Sequence, residues 1–109
     1  MNLNAPLARL RAALTPDHAR AVRSILDSVI PAAQVRVFGS RATGRARPFS
    51  DLDLLIIQPA RLSWLQRADL CDRFEASDLP FRVDVVELDA LPQGMAERVA
   101  GESIALHDL

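Results

Sequence analysis

Asp51 and Asp53 stand two residues apart in Asp51-Leu52-Asp53-Leu54-Leu55-Ile56-Ile57, and Asp84 interrupts another apolar run, Phe81 to Leu88. Strand side chains alternate between faces, so Asp51 and Asp53 are predicted to point one way while Leu52 and Leu54 point into the opposite layer. Their Cα atoms would lie about 6.5 Å apart. Two full charges at that separation repel by roughly 2.5 kcal/mol at an effective dielectric of about 20. A marginally stable fold does not keep such a pair without a cation or partial neutralisation. If the third run lies beside the second, Asp84 joins the same face. Three carboxylates with no histidine or cysteine among them suit a hard ion such as Mg²⁺ rather than zinc. Mg²⁺ keeps several waters and bridges carboxylates to phosphates, which makes a nucleotide the natural ligand.

Gly39-Ser40 offers the complementary half. A glycine at a strand end lets the backbone come close to a phosphate, and the Ser40 hydroxyl and the amides after it can donate to phosphate oxygens, the more so if Arg41 opens a short helix. Arg41, Arg45 and Arg47 add fork-shaped, charged donors. Each piece alone has a plainer reading: Gly-Ser is an ordinary turn, Asp-x-Asp a cap or solvated edge, and loop arginines are solvated. His18 and His107 read as surface residues, Cys71 as core, and Trp64 as core or capping. The information lies in the combination of Gly-Ser, ten residues, Asp-x-Asp on an apolar strand, and a further Asp on the next strand.

The elements that must position these groups follow from periodicity. Leu7, Leu10 and Leu14 have helical spacing. After Thr15-Pro16, an N-cap with proline at the first helical position, Val22, Ile25, Leu26 and Val29 continue it until Pro31. Val35 to Phe38 is a β-branched and aromatic strand ending at Gly39-Ser40, and the Asp51–Ile57 segment is a central strand closed by Pro59. Ser63 to Gln66 has capping-box spacing. Trp64, Ala68, Cys71 and Phe74 are predicted to form the buried face of the helix that follows. A third strand, Phe81 to Leu88, and a last helix, Leu91 to Val99, complete an α/β (α+β) chain. The predicted architecture is a small mixed β-sheet of three or more strands packed with helices.

Length and composition bound the function. The 109 residues, half of them apolar, with a net charge of −1, predict one domain over 1–109 with a single core and no separate substrate domain. All 13 basic residues are arginine, and tyrosine is absent as well as lysine. This excludes a Schiff-base lysine, a pyridoxal phosphate anchor and a P-loop lysine. The near-zero charge argues against direct nucleic-acid binding. A single cysteine makes no internal disulfide, and neither a signal peptide nor a membrane-spanning run is apparent, so a soluble, cytoplasmic protein is expected.

Val37-Phe38-Gly39-Ser40-Arg41-Ala42-Thr43-Gly44 followed by Ser50-Asp51-Leu52-Asp53-Leu54-Leu55 resembles the signature of the polymerase-β-like nucleotidyltransferase superfamily. It resembles in particular the minimal nucleotidyltransferase (MNT) antitoxins of HEPN/MNT toxin–antitoxin systems. Val83-Asp84-Val85-Val86-Glu87-Leu88 is similar to the strand that carries that family's third carboxylate. The resemblance implies transfer of a nucleoside monophosphate from a nucleoside triphosphate to a hydroxyl. Gly39, Ser40 and Arg41 would hold ATP, and Asp51, Asp53 and Asp84 would be the catalytic and metal-binding carboxylates, with two Mg²⁺ ions. It also implies a HEPN-domain RNase toxin as partner, adenylylated on a tyrosine. With no tyrosine of its own, this chain would have to find that acceptor on another molecule. A non-catalytic antitoxin acting by binding, and a nucleotidyltransferase for a small-molecule acceptor, remain alternatives, the latter needing a wall that a homodimer would supply.

Overall fold

The chain is described from a computed structural model for residues 14–109; the helical spacing expected at Leu7 and Leu10 lies outside the described residues. Its frame is a mixed sheet of four strands, β1 (Gln34–Phe38), β2 (Leu52–Gln58), β3 (Val83–Glu87) and β4 (Ile104–Ala105), in the order β3-β2-β1-β4. β1 runs antiparallel to both β2 and β4, and β2 runs parallel to β3. A parallel pair needs a long crossover. The segment between β2 and β3 supplies it as the helix α3 (Trp64–Ala76). The short edge strand β4 was not foreseen: two residues are too few to show any alternation.

Helix α1 (Pro16–Val29) begins where the sequence predicts. The Thr15 side chain accepts from the His18 N–H at 3.3 Å and Pro16 takes the first helical position. It buries Ala19, Val22 and Leu26. These meet Val35, Val37, Leu52, Leu54 and Ile56 from the sheet and Leu70 and Phe74 from α3 in one apolar cluster. α3 starts in a complete capping box, with Ser63 and Gln66 exchanging side-chain and backbone hydrogen bonds.

The face of α3 differs from the expected one. Leu70 and Phe74 are buried, whereas Ala68 and Cys71 are exposed and Trp64 is 80% exposed. The reason is rotational. Burying Leu70 and Phe74 together, one turn apart, turns Trp64, Ala68 and Cys71 outward, and Leu62 fills the core position just before the helix. Arg67, on the flank, donates through Nε and Nη2 to Glu87 at 3.1 and 2.8 Å and ties α3 to the end of β3.

After β3 the chain makes a 3₁₀ turn, Leu88–Ala90, and enters α4 (Gln93–Glu102), a few residues later than the periodicity suggested. α4 contributes no buried residue to the core. Its end is fastened to the sheet by Arg36 of β1, which donates to the Ser103 hydroxyl and to the Ser103 carbonyl, the latter at 3.0 Å.

Candidate active site

Strand register builds the site. Phe38 pairs with Asp53 across the antiparallel β1–β2 ladder, and Asp53 pairs with Asp84 across the parallel β2–β3 ladder. Directly opposed residues share a face of the sheet, so Phe38, Asp53 and Asp84 form a row across three strands. Their neighbours Leu52, Leu54 and Val37 face the other way, into the core. Asp51 lies just outside β2, in the exposed mouth of the strand.

The electrostatics single out Asp53. Its carboxyl is held above the usual aspartate range, first by burial, then by the charges of Asp84 and Asp51, with Arg41 pulling the other way. The cross-strand Asp84 is thus a stronger neighbour than Asp51 two residues away, the pair that stood out in the sequence. Asp53 thus feels the charge of two acidic neighbours, and a hard divalent cation beside it would relieve that repulsion. The donors are all carboxylate oxygens, the ligand type that Mg²⁺ takes. Among the described residues no three acidic, histidine or cysteine side chains stand grouped closely enough to hold a metal ion between them. Arg82 meanwhile pairs with Asp84 Oδ1, at 3.2 Å from Nε and 3.1 Å from Nη2.

Gly39 sits at φ 72° and ψ −150° as the chain leaves β1 and enters α2 (Ser40–Thr43). Only glycine takes that backbone without strain. A Cβ there would stand 2.4 Å from Asp53 Oδ2, so the turn and the carboxylate are in contact. Gly44 closes α2 in the left-handed conformation and its φ is 79°.

Arg41, expected as a phosphate contact, turns inward and is only 6% exposed. Its guanidinium donates to the Ser50 carbonyl at 2.7 and 3.1 Å and to the Pro48 carbonyl at 3.3 Å, and lies 4.2 Å over the Phe81 ring. Burial lowers its pKa, opposed by the charges of Asp51 and Asp53. Ser50 in turn holds Arg47 through its side chain and its amide. Arg41 thereby fixes the loop that delivers Asp51, a role that residue type and spacing did not reveal. Arg45 and Arg47 remain on that loop.

Two clefts flank the carboxylate row. One of about 440 Å³ runs beside Asp84 and is lined by Cys71, Phe74, Leu79, Phe81 and Val83 among others. The other, about 260 Å³, lies between Phe38-Gly39 and α4.

The fold is shared with known proteins. A solved structure described as a minimal nucleotidyltransferase is 36% identical and superposes with a TM-score of 0.62 over 95% of each chain. A crystal structure described as a toxin–antitoxin with AMP-PNP is 25% identical, with a TM-score of 0.65 over 81% of this chain and 71% of that one. The probable protein adenylyltransferase MntA of Haemophilus influenzae is 46% identical over 66 residues, 61% of this chain. The match spans 58% of that relative's length. The family model described as "Polymerase beta, Nucleotidyltransferase" matches residues 21–108, from the middle of α1 through every strand of the sheet. With its carboxylates opposed across a mixed sheet beside a glycine turn, the chain belongs to the polymerase beta nucleotidyltransferase family.

Proposed function

We propose that this chain is a Mg²⁺-dependent adenylyltransferase of the antitoxin kind, moving AMP from ATP to a tyrosine hydroxyl of a partner HEPN RNase toxin and so silencing it. The observation that carries the reading is the contact of Gly39 with Asp53 in register with Asp84. It sets a phosphate-accommodating turn against a carboxylate pair that needs a cation. Support also comes from the likeness to the MntA relative and to a toxin–antitoxin structure containing AMP-PNP.

Asp51, Asp53 and Asp84 would hold Mg²⁺, which when bound neutralises the triphosphate and steadies the leaving pyrophosphate. Gly39 admits the triphosphate beside Asp53, and the Ser40 hydroxyl and the α2 amides orient its oxygens. The acceptor oxygen forms a bond to the α-phosphorus as the bond to the bridging oxygen breaks. Pyrophosphate leaves, and the hydroxyl proton passes to Asp84. The cleft beside Asp84 gives an acceptor side chain from another protein its approach. The domain would act as one unit over 1–109.

The test is transfer of label from α-labelled ATP to the partner toxin in the presence of Mg²⁺. Asp53→Asn is expected to bring transfer below detection while leaving the circular dichroism spectrum unchanged. Labelling that persists in a folded Asp53→Asn variant refutes the proposal. Protection from the toxin by that variant in cells would favour neutralisation by binding alone.

A further inference from the structure

We propose that the loop delivering Asp51 is the docking anchor for the acceptor protein, with Phe49 seated in an apolar pocket of that protein and Arg45 and Arg47 on carboxylates at the pocket's rim. The inference rests on the protein-acceptor reading above. Between α2 and β2 the chain displays Arg45, Arg47 and Phe49 at alternate positions, all three exposed. Phe49 is 74% exposed and lies two positions from Asp51. Among the described residues its ring belongs to no core cluster and no ring contact, so folding does not account for it. An exposed aromatic side chain on a surface loop beside a catalytic row is what a binding surface supplies.

The loop is braced from beneath. The Arg41 guanidinium donates to the carbonyls of Pro48 and Ser50, the residues on either side of Phe49. The Ser50 hydroxyl accepts from the Arg47 N–H at 2.8 Å, and the Ser50 N–H donates back to the Arg47 carbonyl at 3.0 Å. Phe49 is thereby held outward on a fixed backbone, which keeps the ordering cost of docking low. The same guanidinium lies 4.2 Å over Phe81, and Phe81 with Arg82 and Asp84 lines the cleft beside Asp84. Leu52, three residues beyond Phe49, donates to the Arg82 carbonyl at 2.8 Å. The loop therefore stands at the head of that cleft, and a protein that seats Phe49 brings its neighbouring residues over the carboxylate row.

Charge fixes the chemistry of the partner. Residues 40–50 hold three of the chain's 13 arginines and none of its 14 acidic residues. On a chain of net charge −1 this is a local cationic strip, and its complement is acidic. Aromatic and arginine side chains together are the residue types enriched at protein interfaces. RNA could also meet an arginine and an aromatic ring, but a chain with no basic excess has little surface beyond this loop to follow a phosphate backbone. A protein pocket with a carboxylate rim is the favoured occupant.

Binding of the full chain to the HEPN toxin of the transfer assay, measured by surface plasmon resonance without nucleotide, tests the anchor. Phe49→Ser is expected to weaken toxin binding about thirtyfold, the loss that marks an interface hot spot, and to raise the toxin KM with little change in kcat. Its affinity for Mg-ATP and its melting temperature should match wild type. Arg45→Gln/Arg47→Gln is expected to slow association several-fold at low salt and to flatten the salt dependence. Toxin binding unchanged in Phe49→Ser, or Mg-ATP affinity that falls with toxin affinity in the arginine variant, overturns the anchor. So does a wild-type dimer that Phe49→Ser dissociates, which gives the loop to a second copy, or a twelve-residue oligouridylate bound as tightly as the toxin and lost in Phe49→Ser, which gives it to RNA. A wild-type chain that neither binds nor labels the toxin overturns the function proposed above, whereas wild-type labelling that is indifferent to Phe49 overturns the anchor alone.

Discussion

Gly39 is the residue on which the site's geometry turns, because two independent constraints meet there. Its φ of 72° is closed to other residues without strain, and its α-carbon faces Asp53 Oδ2 so closely that a methyl group would stand at 2.4 Å. Backbone strain of this kind costs about 1–3 kcal/mol by itself. Gly39→Ala is therefore expected to lower the unfolding free energy by about 2 kcal/mol or more, read from urea denaturation, and to abolish AMP transfer. Adding Asp53→Ala to it removes the clash but not the strained φ. The double variant should recover part of the stability and none of the activity. Full recovery would mean that the clash, not the backbone, sets the cost. A sequence shows the glycine and the aspartate fourteen positions apart; it cannot show that they touch.

Among the elements, what could be read in advance was whatever alternation and capping encode. The apolar runs 35–38, 51–57 and 81–88 contain the three long strands within a residue or two at each end, and Thr15 and Ser63 cap the helices that follow them. Asp53 and Asp84 were recognisable because each breaks an apolar strand. What could not be read depends on rotation and reach. α3 has apolar residues around more than one side, and only the docked position of Leu70 and Phe74 decides which side is buried. Arg41 is one of 13 arginines, and nothing local marks it as the one that folds inward over Phe81. The observed face of α3 makes a sharp prediction. Phe74→Ala should cost about 3–5 kcal/mol, as the loss of a buried ring does, while Trp64→Gln should change stability by less than about 0.5 kcal/mol. Thermal or urea unfolding of the two variants decides it, and the reverse order would restore the face that the periodicity suggested.

At the scale of the whole molecule the carboxylate row sets site against stability. Asp53 occupies the central strand, one residue from Leu52 and Leu54 in the core, so its charge acts on the folded state as a unit. Because its carboxyl titrates above the ordinary value of 3.8 in the folded chain, the folded form binds that proton more tightly than the unfolded form does. As pH rises through the interval between the ordinary value and the raised one, the unfolded chain loses its proton first. Stability falls across that interval, and the deficit persists at neutral pH. The metal-free protein is accordingly expected to lose stability as pH rises from about 4 toward neutrality through this group. Asp53→Asn, which removes the charge at nearly constant shape, should melt at a higher temperature than wild type at pH 7 and flatten that slope. Mg²⁺ should stabilise the two proteins unequally. Bound at a concentration a hundred times its dissociation constant, it would add about 2.7 kcal/mol to the wild type, and it should add far less to Asp53→Asn. Scanning calorimetry of both proteins, with Mg²⁺ and with chelator, measures the four melting temperatures. If the asparagine variant is the less stable in chelator, or gains as much from Mg²⁺ as wild type does, Asp53 is not the group where charge repulsion and metal affinity meet. If the expected order is found, then the energy that destabilises the empty site is the energy that a metal and its nucleotide recover on binding.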